Sequence, residues 1–336
     1  MSLRNCFNQP ILVAGAGDMA AEHVKVLLHL GFQPRNIQVV GRGETSTRAF
    51  ADKFCVPARH GGLAALVDAP LCRAAVVTVS HDQLYPVTMA LLEKGCPSIL
   101  VEKPGALYRK DLAAMHQAAQ QRGAQVFIAF NRRFYPSVQA VREFIQRDGR
   151  VVSCSFDFTE VERRVMEEKD RKHIPDEVLH RWGTVNSQHV IDLFLHLAGM
   201  PVERTCRRDG TLPWHPAGAI FCGCGVTDRR VLFSYLATWS GAGRWGVEVS
   251  TPQHRLVLRP LEDLHVQRRG SFQLDAWPLP AEPEGLKPGF TGQMAVFLDA
   301  AFGFAADPRL CSLPEALEHF DVAEAILGYD QAVRPA

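Results

Sequence analysis

The sequence predicts an α/β protein of two domains, with residues 1–130 built on a parallel sheet and residues 131–336 on an open, mainly antiparallel sheet. The length of 336 residues exceeds what one compact core ordinarily holds, so two domains are expected. As far as residue 130, short apolar runs alternate with helical patterns, which is typical of a parallel sheet with crossover helices. Beyond it, period-two segments separated by glycine-containing turns favour antiparallel strands.

The first domain is predicted to contain five strands joined by four helices. Apolar and β-branched runs predict the strands Ile11–Ala14, Ile37–Val40, Ala74–Val79, Ser98–Val101 and Gln125–Phe130. Apolar residues at helical spacing predict the helices Ala20–Leu30, Thr47–Phe54, Tyr85–Glu93 and Asp111–Arg122, the last with Asp111 as its N-cap. Because the third strand is almost wholly apolar, we expect helices to cover both faces of this sheet.

The second domain is predicted to combine helices with a sheet. Val138–Gln146 and Gln188–Ala198 have the apolar spacing of helices, whereas Val151–Phe158 alternates like a half-buried antiparallel strand. Several further strands are expected within residues 219–258. A proline-rich loop and two closing helices are predicted at Trp277–Pro288, Thr291–Phe302 and Leu313–Tyr329.

The composition limits the kinds of molecule that this protein is expected to bind. A formal net charge of +1, from 37 basic and 36 acidic side chains, gives no basic footprint for nucleic acid or an anionic membrane. No apolar run is long enough to span a bilayer, and the N-terminus lacks the pattern of a signal peptide. Nine cysteines without framework spacing favour a reducing, cytoplasmic setting. No grouping of histidine, cysteine and carboxylate residues has metal-ligand spacing, so no metal is expected.

A glycine-rich segment follows the first predicted strand and opens the first helix. It reads Gly15-Ala-Gly17-Asp18-Met19-Ala20, a G-x-G-x-x-A pattern. Gly15 permits a tight turn, and Gly17 lets backbone N–H groups approach a pyrophosphate at the helix N-terminus. Glycine-rich turns also occur without a ligand, but the position between strand and helix favours a dinucleotide-binding Rossmann domain. The residues expected at the cofactor are Gly15, Gly17, Asp18 and Met19.

The end of the second strand bears on the choice between NAD and NADP. The segment Val40-Gly-Arg42 lacks the strand-end acid that bonds the ribose hydroxyls of NAD. Instead, Arg42, Thr45 and Ser46 could hold a 2′-phosphate through charge-assisted hydrogen bonds. Glu44 could still reach the ribose, and Arg42 could be a solvated turn residue. The segment as a whole favours NADP over NAD.

A lysine directly follows the fourth strand, in the sequence Val101-Glu102-Lys103-Pro104. Ligands of open α/β sheets bind beyond the carboxyl ends of the strands, which places Lys103 at the reactive end of the cofactor. A lysine there can donate a proton to a carbonyl oxygen as hydride arrives. An ordinary exposed loop lysine would fit these residues equally well.

Five motifs occur in the order found in one known family. They are Gly15-x-Gly17-x-x-Ala20-x-x-His23, Glu102-Lys103-Pro104, Asn131-Arg132-Arg133-Phe134-Tyr135, His189-Val-Ile-Asp192-Leu and Gln293-Met-Ala-Val-Phe-Leu. On these motifs the sequence resembles the glucose–fructose oxidoreductase, inositol dehydrogenase and rhizopine-catabolism (Gfo/Idh/MocA) family over nearly its whole length. The resemblance implies a Rossmann domain followed by an α/β domain. The open sheet of that second domain would hold the substrate on one face and join subunits into a homodimer or homotetramer.

Three further stretches resemble one branch of that family, which is found among bacterial surface-polysaccharide and nonulosonic-acid sugar genes. They are Gly95-Cys-Pro-Ser-Ile-Leu-Val-Glu-Lys-Pro-Gly-Ala-Leu, Phe156-Asp-Phe-Thr-Glu and Asn186-Ser-Gln-His-Val-Ile-Asp. The resemblance to this branch implies a carbohydrate substrate: a sugar, a nucleotide sugar or a polyol.

The resemblance also assigns roles to residues. His189, near the start of a helix, is expected to exchange a proton with the substrate, and Asp192 on the same helical face can orient its imidazole. Lys103 is the second group expected to transfer a proton. Further contacts are expected to the cofactor from Ser80, His81, Glu102, Lys103 and Arg132, and to the substrate from Tyr135, Trp182, Asn186, His189 and Asp192.

One position departs from the family pattern. Many members carry an aspartate four residues before the histidine, where this chain has Val185. Asn186 is close to that position and can bond a substrate hydroxyl, but an amide is not a base at neutral pH. A mechanism that uses Lys103 and His189 survives the change, whereas one that needs the aspartate does not.

The sequence therefore predicts an enzyme: an NAD(P)-dependent oxidoreductase that transfers hydride to or from a carbinol or keto carbon of a carbohydrate. Two alternatives remain open. A cofactor-binding regulator without chemistry would explain Val185, although Lys103 and His189 argue against it. The other alternative is an NAD-dependent glycosidase, in which a tightly held cofactor oxidises the sugar transiently.

Overall fold

The structure is a computed structural model that describes residues 7–329. These residues form two compact units. The first comprises the described residues up to Phe134 together with Glu282–Leu317, and the second comprises Tyr135–Ala281 together with the described residues from Glu318 onward. The sequence predicted a single division near residue 130, whereas the chain returns to the first unit before its last helix.

The predicted helices and strands are all present, with ends shifted by a few residues. The strands are, in chain order, β1 (Ile11–Ala14), β2 (Ile37–Val40), β3 (Ala58–Arg59), β4 (Ala74–Val77), β5 (Ser98–Glu102), β6 (Gln125–Ala129), β7 (Ser153–Asp157), β8 (Pro201–Asp209), β9 (Ile220–Thr227), β10 (Leu232–Thr238), β11 (Gly246–Ser250), β12 (His254–Leu258), β13 (His265–Arg268), β14 (Leu274–Ala276) and β15 (Cys311–Ser312). The α-helices are α1 (Asp18–Leu30), α2 (Glu44–Phe54), α3 (Leu63–Asp68), α4 (Leu84–Glu93), α5 (Arg109–Arg122), α6 (Pro136–Asp148), α7 (Glu162–Lys172), α8 (Asp176–His180), α9 (Gln188–Ala198), α10 (Phe290–Ala301) and α11 (Leu313–Leu327). A π-helical turn at Gly183–Ser187 directly precedes α9.

The sheet of the first unit has the strand order β15-β6-β5-β4-β1-β2-β3. The strands from β6 to β3 are parallel, as predicted, because crossover connections return the chain to the same edge each time. The residues of β1 and β4 are all buried, as expected of strands that lie between two layers of helices. The unpredicted strand β15 pairs antiparallel with β6 at one edge.

Helix α10 and strand β15 explain why the segment Glu282–Leu317 belongs to the first unit. α10 packs against α1 and β5, and it buries Met294, Phe297 and Leu298 in the core of this unit. β15 then extends the sheet beyond β6. The helical spacing of the sequence predicts α10 but does not say which sheet its apolar face covers.

The start of α5 differs from its prediction. The helix begins at Arg109 with Tyr108 in the N-cap position, so Asp111 lies inside the first turn and is not the N-cap. A carboxylate there still interacts favourably with the positive end of the helix dipole, which is why an acid suits either position. Gly31 ends α1 in the left-handed conformation, as the sequence indicated.

The sheet of the second unit has the strand order β14-β13-β12-β11-β7-β10-β9-β8. It is mainly antiparallel, as predicted, but β7 pairs antiparallel with β11 and parallel with β10. The parallel pair arises because α7, α8 and α9 carry the chain to the far edge, from which the β8-β9-β10 meander returns to β7. One face of the sheet packs on α6 and α9, and the other exposes Leu232 and Leu236.

Strand β8 was missed by the sequence analysis. Its residues are largely charged and exposed, so neither the apolar run nor the alternation that predicts a strand is present. Charged side chains are typical of a strand at the edge of a sheet, where they discourage pairing with other chains. Within residues 7–329, no helix has both the length and the apolar character needed to cross a membrane.

Candidate active site

The loop between β1 and α1 requires glycine at one position and leaves open space at another. Gly15 has φ +126°, and a Cβ atom there would lie 2.4 Å from Thr78 Oγ1 and 2.9 Å from the Thr78 carbonyl oxygen. Its N–H donates to the Val40 carbonyl oxygen at 2.8 Å. Gly17 is the extended N-cap residue of α1, and a Cβ atom there would meet no atom of the described chain within 4 Å beyond its own neighbours. The N-terminus of α1 is therefore open to an approaching anion.

A cavity of about 620 Å³ lies at this loop, within the first unit. That volume is typical of a site for a small molecule or a cofactor. The predicted cofactor contacts that line it are Gly15, Gly17, Arg42, Ser46 and Ser80. Its lining also includes Gly61, Gly62, Leu63, Thr78 and Gln83, which the sequence analysis did not single out. Among the described residues, the predicted contacts outside its lining are Asp18, Met19, Thr45, His81, Glu102, Lys103 and Arg132.

The turn that carries Arg42 is held by the helix that follows it. Thr47 Oγ1 donates to the Gly43 carbonyl oxygen at 2.6 Å. The backbone at Gly41 lies so close to the Thr47 side chain that a Cβ atom at Gly41 would be 2.0 Å from Thr47 Oγ1. The sequence analysis gave Thr47 no role, although a threonine in the first turn of a helix can donate a side-chain hydrogen bond to a backbone carbonyl oxygen of the preceding turn. Arg42 therefore projects from a fixed backbone.

The side chains beyond β2 divide into two groups. Arg42 and Ser46 are exposed and line the cavity, whereas Thr45 is exposed but lies outside its lining. Glu44, the acid that could reach a ribose, lies 3.7 Å from Arg48 on the exposed face of α2. This arrangement offers the cavity a cation and a hydroxyl, which are suitable ligands for a phosphate.

Lys103 lies directly beyond the carboxyl end of β5, as predicted, and is half-buried. Because β1 and β5 are parallel strands of one sheet, Lys103 and the glycine loop after β1 lie at the same edge. The preceding Glu102 is buried, and its Oε1 atom is 2.8 Å from His23 Nε2. The Glu102 carboxylate thus ties the lysine turn to α1, and its predicted contact to the cofactor stays a prediction.

The segment after β6 is held by hydrogen bonds within the first unit. Arg132 Nη1 donates to Asn131 Oδ1 at 2.8 Å, and Asn131 Nδ2 donates to the Pro288 carbonyl oxygen at 3.0 Å. Arg133 is fully buried and pairs with Glu315 at 2.9 Å. The segment thus joins the end of β6 to the chain that returns to this unit.

Two aromatic residues predicted to contact the substrate are buried. Tyr135 is 4% exposed and Trp182 is 3% exposed. A sugar stacks on an accessible ring face, so neither ring is placed for stacking in this structure. Trp245, which the sequence analysis missed, is half-buried, and its ring centroid lies 6.1 Å from that of His189. Neither periodicity nor a motif predicts a role for Trp245, because its position beside His189 depends on how the sheet folds.

His189 lies in the first turn of α9 and is buried. Asp192, predicted to orient it, is also buried, and its Oδ1 atom is 2.9 Å from His319 Nδ1 on α11. A carboxylate accepts hydrogen bonds, so the proton of this pair is assigned to Nδ1. The imidazole that Asp192 contacts is therefore that of His319, which the sequence analysis did not expect. It is 127 residues away in the sequence, beyond the reach of helical spacing.

A buried carboxylate lies at the turn that leads into α9. Glu160 accepts hydrogen bonds from Asn186 Nδ2 at 3.1 and 3.0 Å and from Ser187 Oγ at 2.6 Å. Val185, in the place of the family's aspartate, is fully buried beside them in the sequence. π-Helical turns are rare and occur often at functional sites. The sequence analysis noted the stretch that contains Glu160 but gave that residue no role.

A buried histidine and tyrosine hold the start of the π-helical turn. His215 Nδ1 is 2.7 Å from the Gly218 carbonyl oxygen and so carries the proton, which leaves Nε2 to accept from the Tyr329 hydroxyl at 2.5 Å. The Tyr329 oxygen in turn accepts from the Gly183 N–H at 3.1 Å. Burial lowers the pKa of His215 from its ordinary 6.5 to about 4 and raises the pKa of Tyr329. The imidazole is therefore neutral near pH 7.

The lowered pKa of His215 predicts a loss of stability in acid. Between about pH 6.5 and pH 4 the unfolded chain binds a proton that the folded chain does not, so the unfolding free energy falls as the pH falls. The wild type is expected to lose about 2 kcal/mol more than His215→Gln between about pH 7.5 and pH 5. Glutamine keeps a donor and an acceptor but does not titrate. Urea unfolding at the two pH values measures the difference, and equal losses would contradict it.

Comparison with known proteins identifies the first unit most directly. Residues 10–130 match the family model described as an oxidoreductase family with an NAD-binding Rossmann fold, Gfo/Idh/MocA. The trans-1,2-dihydrobenzene-1,2-diol dehydrogenase of Mus musculus is 27% identical over 168 residues, which are 48% of this chain and 47% of that protein. The chain thus aligns with about half the length of the curated relatives that it matches.

Solved structures match almost the whole chain. An oxidoreductase from Agrobacterium radiobacter, in complex with NAD+, L-tartaric acid and magnesium, has a TM-score of 0.77 at 13% identity and covers 97% of each chain. UDP-N-acetylglucosamine 3-dehydrogenase from Acidithiobacillus ferrooxidans has a TM-score of 0.75 at 16% identity, over 95% of this chain and 97% of that one. At these identities the structures establish the fold. They confirm the predicted fold class.

Proposed function

Because residues 10–130 match the family model of the Gfo/Idh/MocA oxidoreductases, we propose that the chain is a member of that family, an NAD(P)-dependent enzyme that transfers hydride to or from a carbinol or keto carbon of a carbohydrate. The observation that carries the proposal is the open N-terminus of α1 at Gly17, beside a cavity of about 620 Å³. Lys103 lies at the same edge of the sheet. A sugar-like substrate is supported by the names of similar proteins, a diol dehydrogenase and a nucleotide-sugar dehydrogenase.

The residues of the first unit suit a dinucleotide. The backbone N–H groups at Gly17 and the positive end of α1 would hold the pyrophosphate, and Ser80 would contact the nicotinamide half. A Cβ atom at Gly17 would occupy space that is otherwise open, which is the space a bound phosphate needs. When bound, the cofactor supplies or accepts the hydride.

Lys103 and His189 would move the proton that accompanies the hydride. In oxidation, His189 accepts the proton of the substrate hydroxyl, while Lys103 hydrogen-bonds the same oxygen and stabilises its negative charge. In reduction, Lys103 donates the proton to the carbonyl oxygen. The pair Asp192–His319 would hold the helix that presents His189. Trp245, beside His189, replaces Trp182 as the ring proposed to contact the substrate.

Turnover against a panel of hydroxyl compounds tests the proposed function. The panel would include UDP-N-acetylglucosamine and trans-1,2-dihydrobenzene-1,2-diol, each with NAD+ and with NADP+. Formation of reduced nicotinamide with at least one compound is the expected result. Cofactor binding without turnover of any compound would favour a regulator. Release of an aryl glycoside's leaving group without net change in reduced nicotinamide would favour a glycosidase.

The cofactor is proposed to be NADP more than NAD because Arg42 and Ser46 line the cavity while Glu44 lies near Arg48. Arg42→Ala is expected to raise the KM for NADPH by roughly tenfold, since one charge-assisted bond to the 2′-phosphate is lost. The KM for NADH should change less than about twofold. Steady-state kinetics with both cofactors measures the ratio. A wild type that prefers NADH, or an equal loss for both cofactors in the variant, would contradict the assignment.

The open face of the second unit's sheet is proposed to join subunits into a homodimer or homotetramer. Leu232 and Leu236 on β10 are 65% and 58% exposed, which is unusual for two leucines on one strand face. Light scattering after size exclusion gives the subunit number, and a monomer at micromolar concentration would contradict this proposal.

A cytoplasmic location is also proposed. The cysteines in the described part of the chain are free thiols, three of which, Cys72, Cys96 and Cys154, are buried with raised pKa values because of desolvation. Such thiols fit a reducing compartment. Cell fractionation tests the location, and recovery from an oxidising compartment would contradict it.

A further inference from the structure

Glu160 is placed at one position by the turn that follows β7. Thr159 donates through its backbone N–H and its Oγ1 to Asp157 Oδ1, at 2.8 and 2.6 Å. Thr159 Oγ1 also accepts from the Thr238 N–H at 2.9 Å. These bonds fix the residue before Glu160 to β7 and β10. Glu160 is a buried residue, 6% exposed, so hydrogen bonds within the protein, more than solvent, determine the position of its carboxylate.

The carboxylate of Glu160 determines which way the Asn186 amide faces. A carboxylate only accepts hydrogen bonds, so the amide must turn its NH₂ group toward Glu160. Nδ2 lies 3.1 and 3.0 Å from the two Glu160 oxygens, and Ser187 Oγ donates to the same carboxylate at 2.6 Å. Asn186 Oδ1 consequently faces the other way. Asn186 is half-buried, and Oδ1 has no hydrogen-bond partner within residues 7–329.

The acceptor that results belongs to a residue that lies three positions before His189 in the chain. Asn186 precedes His189 by three residues across the junction of the π-helical turn and α9. This separation is less than one helical turn, so both side chains leave the same short stretch of backbone. The hydroxyl oxygens of adjacent sugar carbons are separated by a distance that such a pair of side chains can bridge.

We propose that Glu160 is a positioning residue that holds the Asn186 amide so that Asn186 Oδ1 accepts a hydrogen bond from a second substrate hydroxyl, beside the one that His189 deprotonates. The inference rests on the proposed function and narrows its substrate class to compounds with two neighbouring hydroxyl groups. Without the carboxylate, the amide is free to turn, and it then presents a donor or an acceptor with similar frequency. Burying a carboxylate is costly, and the three hydrogen bonds offset that cost while fixing one orientation.

The first arm of the experiment tests the pairing without any turnover. Thermal unfolding is compared for the wild type, Glu160→Gln, Asn186→Asp and the double variant at about pH 8. Asn186→Asp places two carboxylates face to face and is expected to lower Tm by roughly 4 °C or more. The double variant restores a donor opposite an acceptor and should regain at least about half of that loss. Glu167→Gln, the same change at an exposed helix position, is the matched control and should leave Tm unchanged. Additive losses would overturn the pairing.

The second arm tests the role in recognition, with UDP-N-acetylglucosamine and trans-1,2-dihydrobenzene-1,2-diol as probes. Asn186→Ala and Glu160→Gln are each expected to raise KM about tenfold while kcat changes less than about threefold, because the bond is made equally in the ground state and the transition state. Since Glu160 acts through Asn186, the double variant Glu160→Gln/Asn186→Ala should be no worse than Asn186→Ala alone.

The outcomes of the two arms separate this inference from the proposed function. An unchanged KM in Asn186→Ala, or multiplied losses in the double variant, would overturn the positioning role even if the enzyme is active. A wild type that turns over neither probe nor any other hydroxyl compound would refute the proposed function. The comparison of Tm values among the single and double variants would then decide by itself whether Glu160 fixes the Asn186 amide.

Discussion

Replacing Lys103 by alanine is expected to lower kcat by about 10²–10⁴-fold, the usual effect of removing a general acid or base. The physical reason is that Lys103 lies beyond the carboxyl end of β5, where an amine can reach the substrate oxygen as its charge changes. The dissociation constant for NADPH should change less than about threefold, because the cavity lining lies on other loops. Steady-state turnover and quenching of cofactor fluorescence measure the two quantities separately.

Two further variants test whether the loss of turnover comes from the loss of a proton donor at Lys103. Lys103→Arg keeps the positive charge but cannot give up its proton near neutral pH, so it should lose most of the reductive turnover if proton donation is the role. Lys110→Ala is the matched control, because Lys110 is an exposed residue of α5 whose Nζ atom lies 5.6 Å from the Tyr108 ring centroid. Near-native activity of Lys103→Ala would remove the proposed mechanism.

The fold of the first unit could be predicted because its local signals agree with one another. The core strands β1 and β4 are continuous apolar runs, and each is followed by a turn that begins a helix. Such strands cannot face water, so their place between two helix layers follows from composition alone. The return of α10 and β15 to this unit could not be predicted, since an apolar helix face does not specify its partner.

The sequence also predicted those residues of the candidate site that have local signals, and it missed those that depend on long-range contacts. Gly15, Gly17 and Lys103 were found because each stands at a fixed offset from a strand end, and the chain geometry alone places them at one edge of the sheet. Glu160 and His319 were given no role, because each meets its partner through tertiary packing. Only folding shows that their partners, Asn186 and Asp192, are already engaged.

The segment 183–192, which contains His189, is held at three points: Gly183 by Tyr329, Ser187 by Glu160, and Asp192 by His319. Each of these hydrogen bonds is buried, and a buried donor or acceptor that loses its partner destabilises the fold. The helix that presents His189 is thus fixed from several directions, which is what a proton-transfer group requires if it is to keep one geometry.

Substituting Gly17 by valine is expected to raise the dissociation constants for NADPH and NADH by roughly 10- to 100-fold. The valine methyl groups would fill the open space at the N-terminus of α1 and prevent a pyrophosphate from approaching its N–H groups. Loss of charge-assisted bonds of about 1.5–3 kcal/mol accounts for the magnitude. Gly17→Ala should give a smaller loss of the same kind. Titration calorimetry measures both variants, and wild-type affinity in Gly17→Val would contradict the cofactor site.

Gly15→Ala separates loss of binding from loss of folding. Gly17 has φ −102°, which any residue adopts, so Gly17→Val should cost less than about 1 kcal/mol of unfolding free energy as an N-cap change. At Gly15 the same addition of a Cβ atom meets both a φ of +126° and the Thr78 carbonyl oxygen at 2.9 Å. There the expected cost is about 1–3 kcal/mol, even without cofactor. Stability lost at Gly15 and affinity lost at Gly17 would together show that one glycine serves the backbone and the other serves the ligand.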